Sequence, residues 1–93
     1  MKIYQSKLFE KKVKKMSKAE KDALDREVRN IAENPNIGEE KKGDLKDVFV
    51  HKFKFKTDLY LLAYRKTGAD LELVMIGSHE NYYRDLKSYL KSK

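Results

Sequence analysis

Three lysines at alternate positions, Lys52, Lys54 and Lys56, have a spacing that suggests a binding surface for an anion. Side chains of a β-strand point alternately to the two faces of a sheet, so residues 48–56 (VFVHKFKFK) would place these lysines on one face. Like charges along one face repel one another, and an anionic ligand lying across them would offset that repulsion. The alternative is a solvated strand whose lysines serve solubility.

The alternate positions of the same strand carry mostly apolar side chains. Phe49, Phe53 and Phe55 would face a core, and His51 lies among them. A histidine in that position is more often a core or edge residue than a catalytic one, and catalysis is the second interpretation. The strand is therefore expected to have one buried face and one basic face.

A second group of chemically capable residues lies in residues 77–85 (GSHENYYRD), at a predicted junction of strand and helix. Such junctions are exposed and firmly held, and this one brings together an imidazole, two phenols and a guanidinium: His79, Tyr82, Tyr83 and Arg84. Histidine exchanges a proton readily near neutral pH, so His79 could serve as a general acid or base. The other interpretation is structural, with a helix cap, a buried tyrosine and an ion pair between Glu80 and Arg84.

The composition narrows the class of protein. Residues 1–93 are expected to form one domain, and 22 Lys and Arg against 15 Asp and Glu give a formal net charge of +7. Such a charge suits binding to nucleic acid, an anionic membrane or an acidic partner.

The absence of cysteine excludes disulfides and thiolate metal sites, and two histidines give little basis for a metal centre. No apolar run reaches the ~20 residues of a membrane span and no secretory segment is evident, so a cytoplasmic protein is expected. Neither a metal nor a cofactor is expected.

Helical signals occupy the first third of the chain. A short strand at residues 2–5 precedes a helix that Ser6 can cap and that runs to about residue 16. Ser17 and Glu20 form a capping box, so a second helix begins there, and the Asn34-Pro35 step ends it. The two helices are expected to form a hairpin on one face of a sheet.

Strand signals follow a polar loop at residues 36–43. Three antiparallel strands are predicted, separated by tight turns at 57–58 and 67–70: residues 45–56, 59–66 and 71–76. The second of them is apolar on both faces and therefore central. Gly77 is expected to end the third strand, and residues 80–90 form a terminal helix. The fold class is α+β, with the N-terminal strand and helical hairpin packed on an antiparallel sheet (βααβββα), and the lysine face is expected to stay open.

The element order, the basic strand followed by residues 59–66 (LYLLAYRK), and the terminal GSHENYY segment together resemble the RelE/ParE superfamily of bacterial type II toxin–antitoxin toxins. The resemblance covers residues 3 to about 90 and is closer to the RelE and YafQ members than to the ParE members. It implies a RelE-like fold and a ribosome-dependent endoribonuclease that cuts messenger RNA and so inhibits translation. The implied partners are messenger RNA on the ribosome, with contacts to ribosomal RNA, and a cognate antitoxin that covers the basic face or displaces the terminal helix.

The implied reaction is attack of a ribose 2′-hydroxyl on the adjacent phosphorus, without metal or cofactor. It requires a base near the 2′-oxygen, an acid near the leaving 5′-oxygen and positive charge around the phosphate oxygens. Through the resemblance, Lys52 and Lys54 correspond to the strand lysines of RelE-type members, and Lys56 to the next basic position. His79 corresponds to the junction histidine of YafQ-type members, and Tyr83 to their downstream aromatic residue, which could stack on a base.

Some positions depart from the family pattern. The RelE-type arginine falls at Leu61, and Arg65 or Arg84 could approach the phosphate from another direction. His51 and Asp58 lie near the positions of the YafQ-type histidine and acid, without a clean match. The candidate catalytic residues are therefore His79, Lys54, Lys52, Tyr83 and Arg65, and the candidate RNA-binding residues are Lys56, Tyr82, Arg84 and His51.

Two other functions would use the same basic surface. One is non-catalytic inhibition of DNA gyrase, as in ParE toxins, where the lysines would serve recognition only. The other is a nucleic-acid-binding domain of unrelated role, whose lysines contact phosphate and whose binding would depend steeply on salt.

Overall fold

A five-stranded mixed sheet carries three helices in the part of the chain that the computed structural model describes, residues 2–41, 43 and 47–91. Along the chain the elements are β1 Ile3–Gln5, α1 Lys7–Lys14, α2 Lys18–Glu33, β2 Glu39–Glu40, β3 Phe49–Phe55, β4 Asp58–Thr67, β5 Asp70–Ser78 and α3 Tyr82–Lys91. The strand order is β1-β5-β4-β3-β2, with β1 parallel to β5 and the other pairs antiparallel. The α+β class is confirmed, and none of the described helices is long and apolar enough to span a membrane.

The helical hairpin forms where its capping residues predict. The hydroxyl of Ser6 accepts a hydrogen bond from the Phe9 amide at 3.0 Å and donates one to the Val74 carbonyl at 2.6 Å, which ties α1 to β5. Ser17 and Glu20 exchange the two reciprocal bonds of a capping box at the start of α2. The hairpin packs on one face of the sheet, in a cluster that includes Phe9, Leu24, Ile31, Phe49, Phe53, Leu62 and Leu73.

The central strand, β4, is buried on both of its faces, as its sequence predicts. Leu62 and Tyr64 face the helical hairpin, whereas Leu61 and Ala63 face the other side, and all four are fully buried. β3 and β5 pair with its two edges in antiparallel register. The position of β4 therefore determines which side chains of its neighbours are exposed.

α3 covers part of the face opposite the hairpin, so the expectation that this face stays open is wrong except at its lysine end. Tyr82 and Leu86 of α3 pack in one cluster with apolar side chains of the sheet: Val48, Val50, Leu61, Ala63, Val74 and Met75. These positions would otherwise expose apolar surface to water, and α3 provides the cover with apolar residues spaced one helical turn apart. Lys52 and Lys54 remain exposed on the same face.

The strand β2 lies within the predicted loop. Its two residues, Glu39 and Glu40, pair with Val50 and Phe49, but two charged residues carry no periodic signal. β3 begins at Phe49, and residues 45 and 46 of the predicted strand lie outside the described residues.

Two boundaries around the junction regions also differ from the prediction. The turn between β3 and β4 falls one residue earlier, at Lys56 and Thr57. β5 continues through Gly77 to Ser78, and α3 begins at Tyr82 instead of residue 80. Gly77 stays in the ladder because it pairs with β4, so a glycine alone does not end a strand there.

The hydroxyl of Tyr64 holds the segment that leads into β2. It accepts a hydrogen bond from the Gly38 amide at 2.9 Å and donates one to the Pro35 carbonyl at 2.8 Å, while its ring stacks on Phe49 with centroids 5.4 Å apart. A Cβ atom at position 38 would lie 2.7 Å from the same hydroxyl oxygen, so this approach requires glycine. Tyr64 thus couples the loop after α2 to the centre of the sheet.

Tyr64→Phe should destabilise the fold by about 1–3 kcal/mol, because the Gly38 amide and the Pro35 carbonyl would lose their partner while the ring remains. The free energy of unfolding in urea measures this loss. Tyr4→Phe is the matched control, since Tyr4 is 49% exposed, and it should change stability by less than about 0.5 kcal/mol. Equal stability of the two variants would contradict the coupling.

The phenol of Tyr60 should make the fold sensitive to alkaline pH. It donates a hydrogen bond to Glu20 at the start of α2, and this bond, with burial, raises the pKa of Tyr60 to about 12. The protonated phenol is thereby favoured in the folded state, so its contribution is complete below pH ~10 and is lost as the pH rises toward 12. Tyr60→Phe should therefore lose less stability than the wild type over this interval, measured by urea unfolding at each pH. Identical losses in the two proteins would refute the assignment.

Candidate functional site

The two exposed lysines of β3 lie on the face that α3 partly covers. Lys52 pairs with Leu61 and Lys54 with Leu59 across the β3–β4 ladder, on the same side as the buried Val50. Two residues along a strand separate Cα atoms by roughly 6.6 Å, so the two ammonium groups can hold neighbouring anionic groups. The strand register confirms the predicted shared face of these two lysines.

Lys56 does not belong to this pair. It lies in the turn after β3 with φ +57°, a left-handed conformation that breaks the alternation of the strand. Its ammonium is 5.5 Å from the centroid of the Phe55 ring. The pKa of Glu20 on α2 is lowered, chiefly by the hydrogen bond from Tyr60 and in smaller part by the charge of Lys56. Lys56 therefore points toward the helical hairpin, and its predicted place beside the other two lysines is wrong.

His79 is exposed immediately after β5. Its amide donates a hydrogen bond to the Leu59 carbonyl at 3.2 Å, and Leu59 pairs with Lys54 on the other edge of β4. Lys54 and His79 thus flank the same residue, at a Cα separation of about 10 Å for two strand spacings. Asn81 has φ +58°, a conformation that asparagine tolerates, and it turns the chain into α3.

A shallow depression of about 350 Å³ lies beside His79, lined by Thr57, Asp58, Leu59, Ser78, His79 and Glu80. The sequence placed Asp58 only near the position of the YafQ-type acid, without a clean match. In the structure Asp58 is the first residue of β4, where it pairs with Phe55 and lines the end of the depression that holds the histidine. A carboxylate and an imidazole can exchange protons with a substrate, and the nearby Lys54 can stabilise negative charge. The site therefore has the groups that acid–base chemistry on a phosphodiester requires.

Tyr83 borders the same face through a contact that sequence reasoning missed. The Lys41 ammonium lies 5.0 Å from the centroid of the Tyr83 ring and forms an ion pair with Glu39. The Glu39 carboxylate raises the pKa of Lys41, and the pKa of Glu39 is lowered by Lys41 and, to a smaller extent, by the charge of Lys52. Glu39, Lys41 and Lys52 therefore form one charged group beside α3. Their proximity depends on the pairing of β2, for which the sequence carries no signal.

Comparison with known proteins decides the family. The family model for the ParE-like toxin of type II bacterial toxin–antitoxin systems matches residues 3–87. The chain belongs to this family. A toxin of this kind has a cognate antitoxin as its partner, in agreement with the sequence-based expectation. No curated protein sequence matches the chain.

Two solved structures share the fold of this toxin. A chain of the intact E. coli RelBE toxin–antitoxin complex matches with a TM-score of 0.69 and 18% sequence identity, over 85% of this chain and 96% of that chain. The isolated E. coli RelE toxin matches with a TM-score of 0.66 and 18% identity, over 95% of this chain and 97% of that chain. At such low identity the likeness establishes the architecture, and the functional residues must be judged from the toxin's own geometry.

Tyr82 is part of the toxin's core and cannot stack on a base. Its side chain is 1% exposed and its hydroxyl donates a hydrogen bond to the Met75 carbonyl at 2.8 Å. Burial raises the pKa of this phenol far above its usual range. The RNA-binding role considered for Tyr82 is therefore wrong, and the half-buried Tyr83 is the tyrosine that borders the site.

Arg65 and His51 lie away from the candidate site. The guanidinium of Arg65 makes hydrogen bonds of 3.0 and 2.8 Å to Glu72. Arg65 is also six residues along β4 from Leu59, a distance of roughly 20 Å. The Nε2 atom of His51 lies 2.7 Å from Glu27 of α2, on the hairpin side of the sheet. The structure therefore does not bring Arg65 or His51 together with Lys54 and His79, in contrast to the sequence-based prediction.

Two further positions concern the missing arginine. Arg84 is 74% exposed on α3, 3.7 Å from Asp85, and it stays a candidate RNA-binding residue. Leu61, at the position of the RelE-type arginine, is fully buried in the cluster that α3 closes. The position is thus part of the hydrophobic core of this toxin.

Leu61→Arg should destabilise the toxin by about 3–5 kcal/mol, because it would place an unpaired charge in the core. That loss is a large part of the free energy of unfolding of a typical domain, which is ~5–15 kcal/mol. Leu59→Arg, at the half-buried neighbour on the same face, is the matched control and should cost less than about 1 kcal/mol. Urea unfolding measures the free energy of unfolding of both variants. A stable Leu61→Arg variant would show that α3 moves aside easily and lets the charge reach water.

Proposed function

We propose that this toxin cuts messenger RNA on the ribosome through attack of a ribose 2′-hydroxyl on the adjacent phosphorus. The observation that carries the proposal is the position of the exposed Lys54, which pairs with Leu59, the residue whose carbonyl also binds the His79 amide. Lys52 lies on the same face of β3, and His79 and Asp58 line one shallow depression. The lysines match the charge of a phosphate, and the other two side chains can transfer protons. A surface that only bound an anion would not require the imidazole and the carboxylate.

In the proposed reaction the 2′-oxygen forms a bond to phosphorus while the bond from phosphorus to the 5′-oxygen breaks. One product ends in a 2′,3′-cyclic phosphate and the other begins with a 5′-hydroxyl. Asp58 accepts the proton of the 2′-hydroxyl, and the protonated imidazole of His79 donates a proton to the departing 5′-oxygen. Lys52 and Lys54 stabilise the charge on the phosphate oxygens, and the exposed Arg84 contacts the RNA from α3.

A second candidate function is inhibition of DNA gyrase without chemistry. Two observations favour it: the family model is that of the ParE-like toxins, and Leu61 stands where RelE-type members have an arginine. Under this function the basic face serves recognition only, and His79 is not required.

His79→Ala and Lys54→Ala should each relieve the growth arrest that overexpression of the toxin causes. We expect each to slow cleavage about 100-fold or more, because one removes a proton donor and the other a charge that stabilises the transition state. His51→Gln, which keeps a hydrogen-bonding group opposite Glu27, and Lys21→Ala, on the exposed side of α2, are the matched controls and should remain toxic.

Primer extension on messenger RNA from arrested cells separates the two functions. Codon-phased cuts that disappear with His79→Ala would support the nuclease, whereas a DNA-damage response without cuts would support gyrase inhibition. Undiminished cleavage by both His79→Ala and Lys54→Ala would show that the site is assigned to the wrong residues.

A further inference from the structure

Three ammonium groups form a row along β3 on the face that α3 borders. Glu39 pairs with Val50 across the β2–β3 ladder, and Lys41 reaches back to bind the Glu39 carboxylate. Lys52 and Lys54 follow Val50 at alternate positions of the strand, and the row ends beside the candidate site. We call Lys41, Lys52 and Lys54 the lysine row.

One carboxylate occupies this row. Glu39 forms its ion pair with Lys41, and the charge of Lys52 acts on the same carboxylate more weakly. The salt bridges among the described residues include neither Lys52 nor Lys54. The Glu39 side chain is 70% exposed, so water weakens its pair with Lys41 and the pair can open at little cost.

We propose that Lys41 is a third phosphate-binding residue of this toxin and that Glu39 competes with RNA for the lysine row. The inference rests on the proposed function, because it gives the path of a single-stranded RNA toward His79. An arriving phosphate displaces the Glu39 carboxylate into water and binds Lys41 and Lys52 in its place. Glu39 thereby limits the affinity of the free toxin for RNA.

Tyr83 positions Lys41 for this role. The ammonium lies 5.0 Å from the centroid of a ring that α3 holds half-buried. The Lys41 side chain is 20% exposed, so it lies against the protein surface and does not extend freely into solvent. The cation–π contact does not involve the carboxylate and persists when Glu39 moves away. Lys41 is therefore already in place when RNA arrives.

The spacing and the end point of the row favour single-stranded RNA as the ligand. Lys52 and Lys54, at alternate positions of β3, have Cα atoms roughly 6.6 Å apart, which is comparable with the separation of successive phosphates in an extended nucleic acid strand. Lys41 lies opposite Val48, further back along the same face. An acidic protein segment would satisfy the charges, but it has no use for the imidazole and carboxylate at the end of the row. A single-stranded RNA would use both the lysines of the row and the proton-transferring side chains at its end.

Binding of a fluorescent 2′-O-methyl RNA oligonucleotide, which cannot be cleaved, tests the inference by anisotropy over a series of salt concentrations. Glu39→Gln should bind about three- to fivefold more tightly than the wild type, because the competing charge is gone. Lys41→Gln should bind about three- to fivefold more weakly and reduce the slope of log K against log salt by about 0.7. Glu10→Gln and Lys14→Gln, both exposed on α1, change the net charge equally and should stay within about twofold of wild type.

Several results would overturn the inference. Equal affinities of Glu39→Gln and Glu10→Gln would exclude competition, and an unchanged salt slope for Lys41→Gln would exclude its phosphate contact. A glutamate-rich peptide that binds more tightly than the RNA, with the same dependence on Glu39, would assign the row to an acidic protein segment instead. Thermal unfolding verifies that each variant is folded. Because the oligonucleotide is not cleaved, these outcomes are independent of nuclease activity, which primer extension judges separately.

Discussion

Burial of β4 on both faces is the constraint on which the rest of the toxin depends. Its middle residues, 61–64, are fully buried, and β3 and β5 are held on its two edges. The exposed lysines belong to β3 and His79 directly follows β5, so their relative positions follow from the two ladders. Because side chains alternate with a period of two, a shift of one residue in either ladder would exchange the buried and exposed faces of the neighbouring strand. Hydrophobic packing around β4 thus determines which side chains of the candidate site are exposed.

Sequence reasoning succeeded where a single local pattern determines the outcome. The capping box of Ser17 and Glu20 marks the start of α2, since both of its hydrogen bonds lie within one turn. The alternation in β3 places the phenylalanines and the two exposed lysines on opposite faces, because strand geometry permits no other arrangement. The apolar run of β4 identifies it as the central strand for the same local reason.

Prediction failed where a distant contact or one unusual dihedral decides the position. In the sequence Lys56 continues the alternation of the strand, but its left-handed backbone conformation turns its side chain away from the lysine face. Tyr82 and Tyr83 are neighbours in sequence, yet a helix rotates successive residues by about 100°, so docking of α3 buries the first and leaves the second at the border. Arg65 is held by Glu72 of β5, and Lys41 by Glu39 of β2, through pairings that no local pattern reveals.

The parallel pairing of β1 with β5 joins segments that are far apart in sequence. The Leu71 amide donates to the Lys2 carbonyl at 2.9 Å, and the Lys2 amide donates to the Asp70 carboxylate at 3.0 Å. Contacts of such long range form slowly, because the intervening chain must be ordered before they stabilise anything. During synthesis β1 leaves the ribosome before β5 and lacks its partner strand until β5 has followed. The nascent sheet therefore stays incomplete while most of the chain is being translated, and His79 reaches its place beside Lys54 only afterwards.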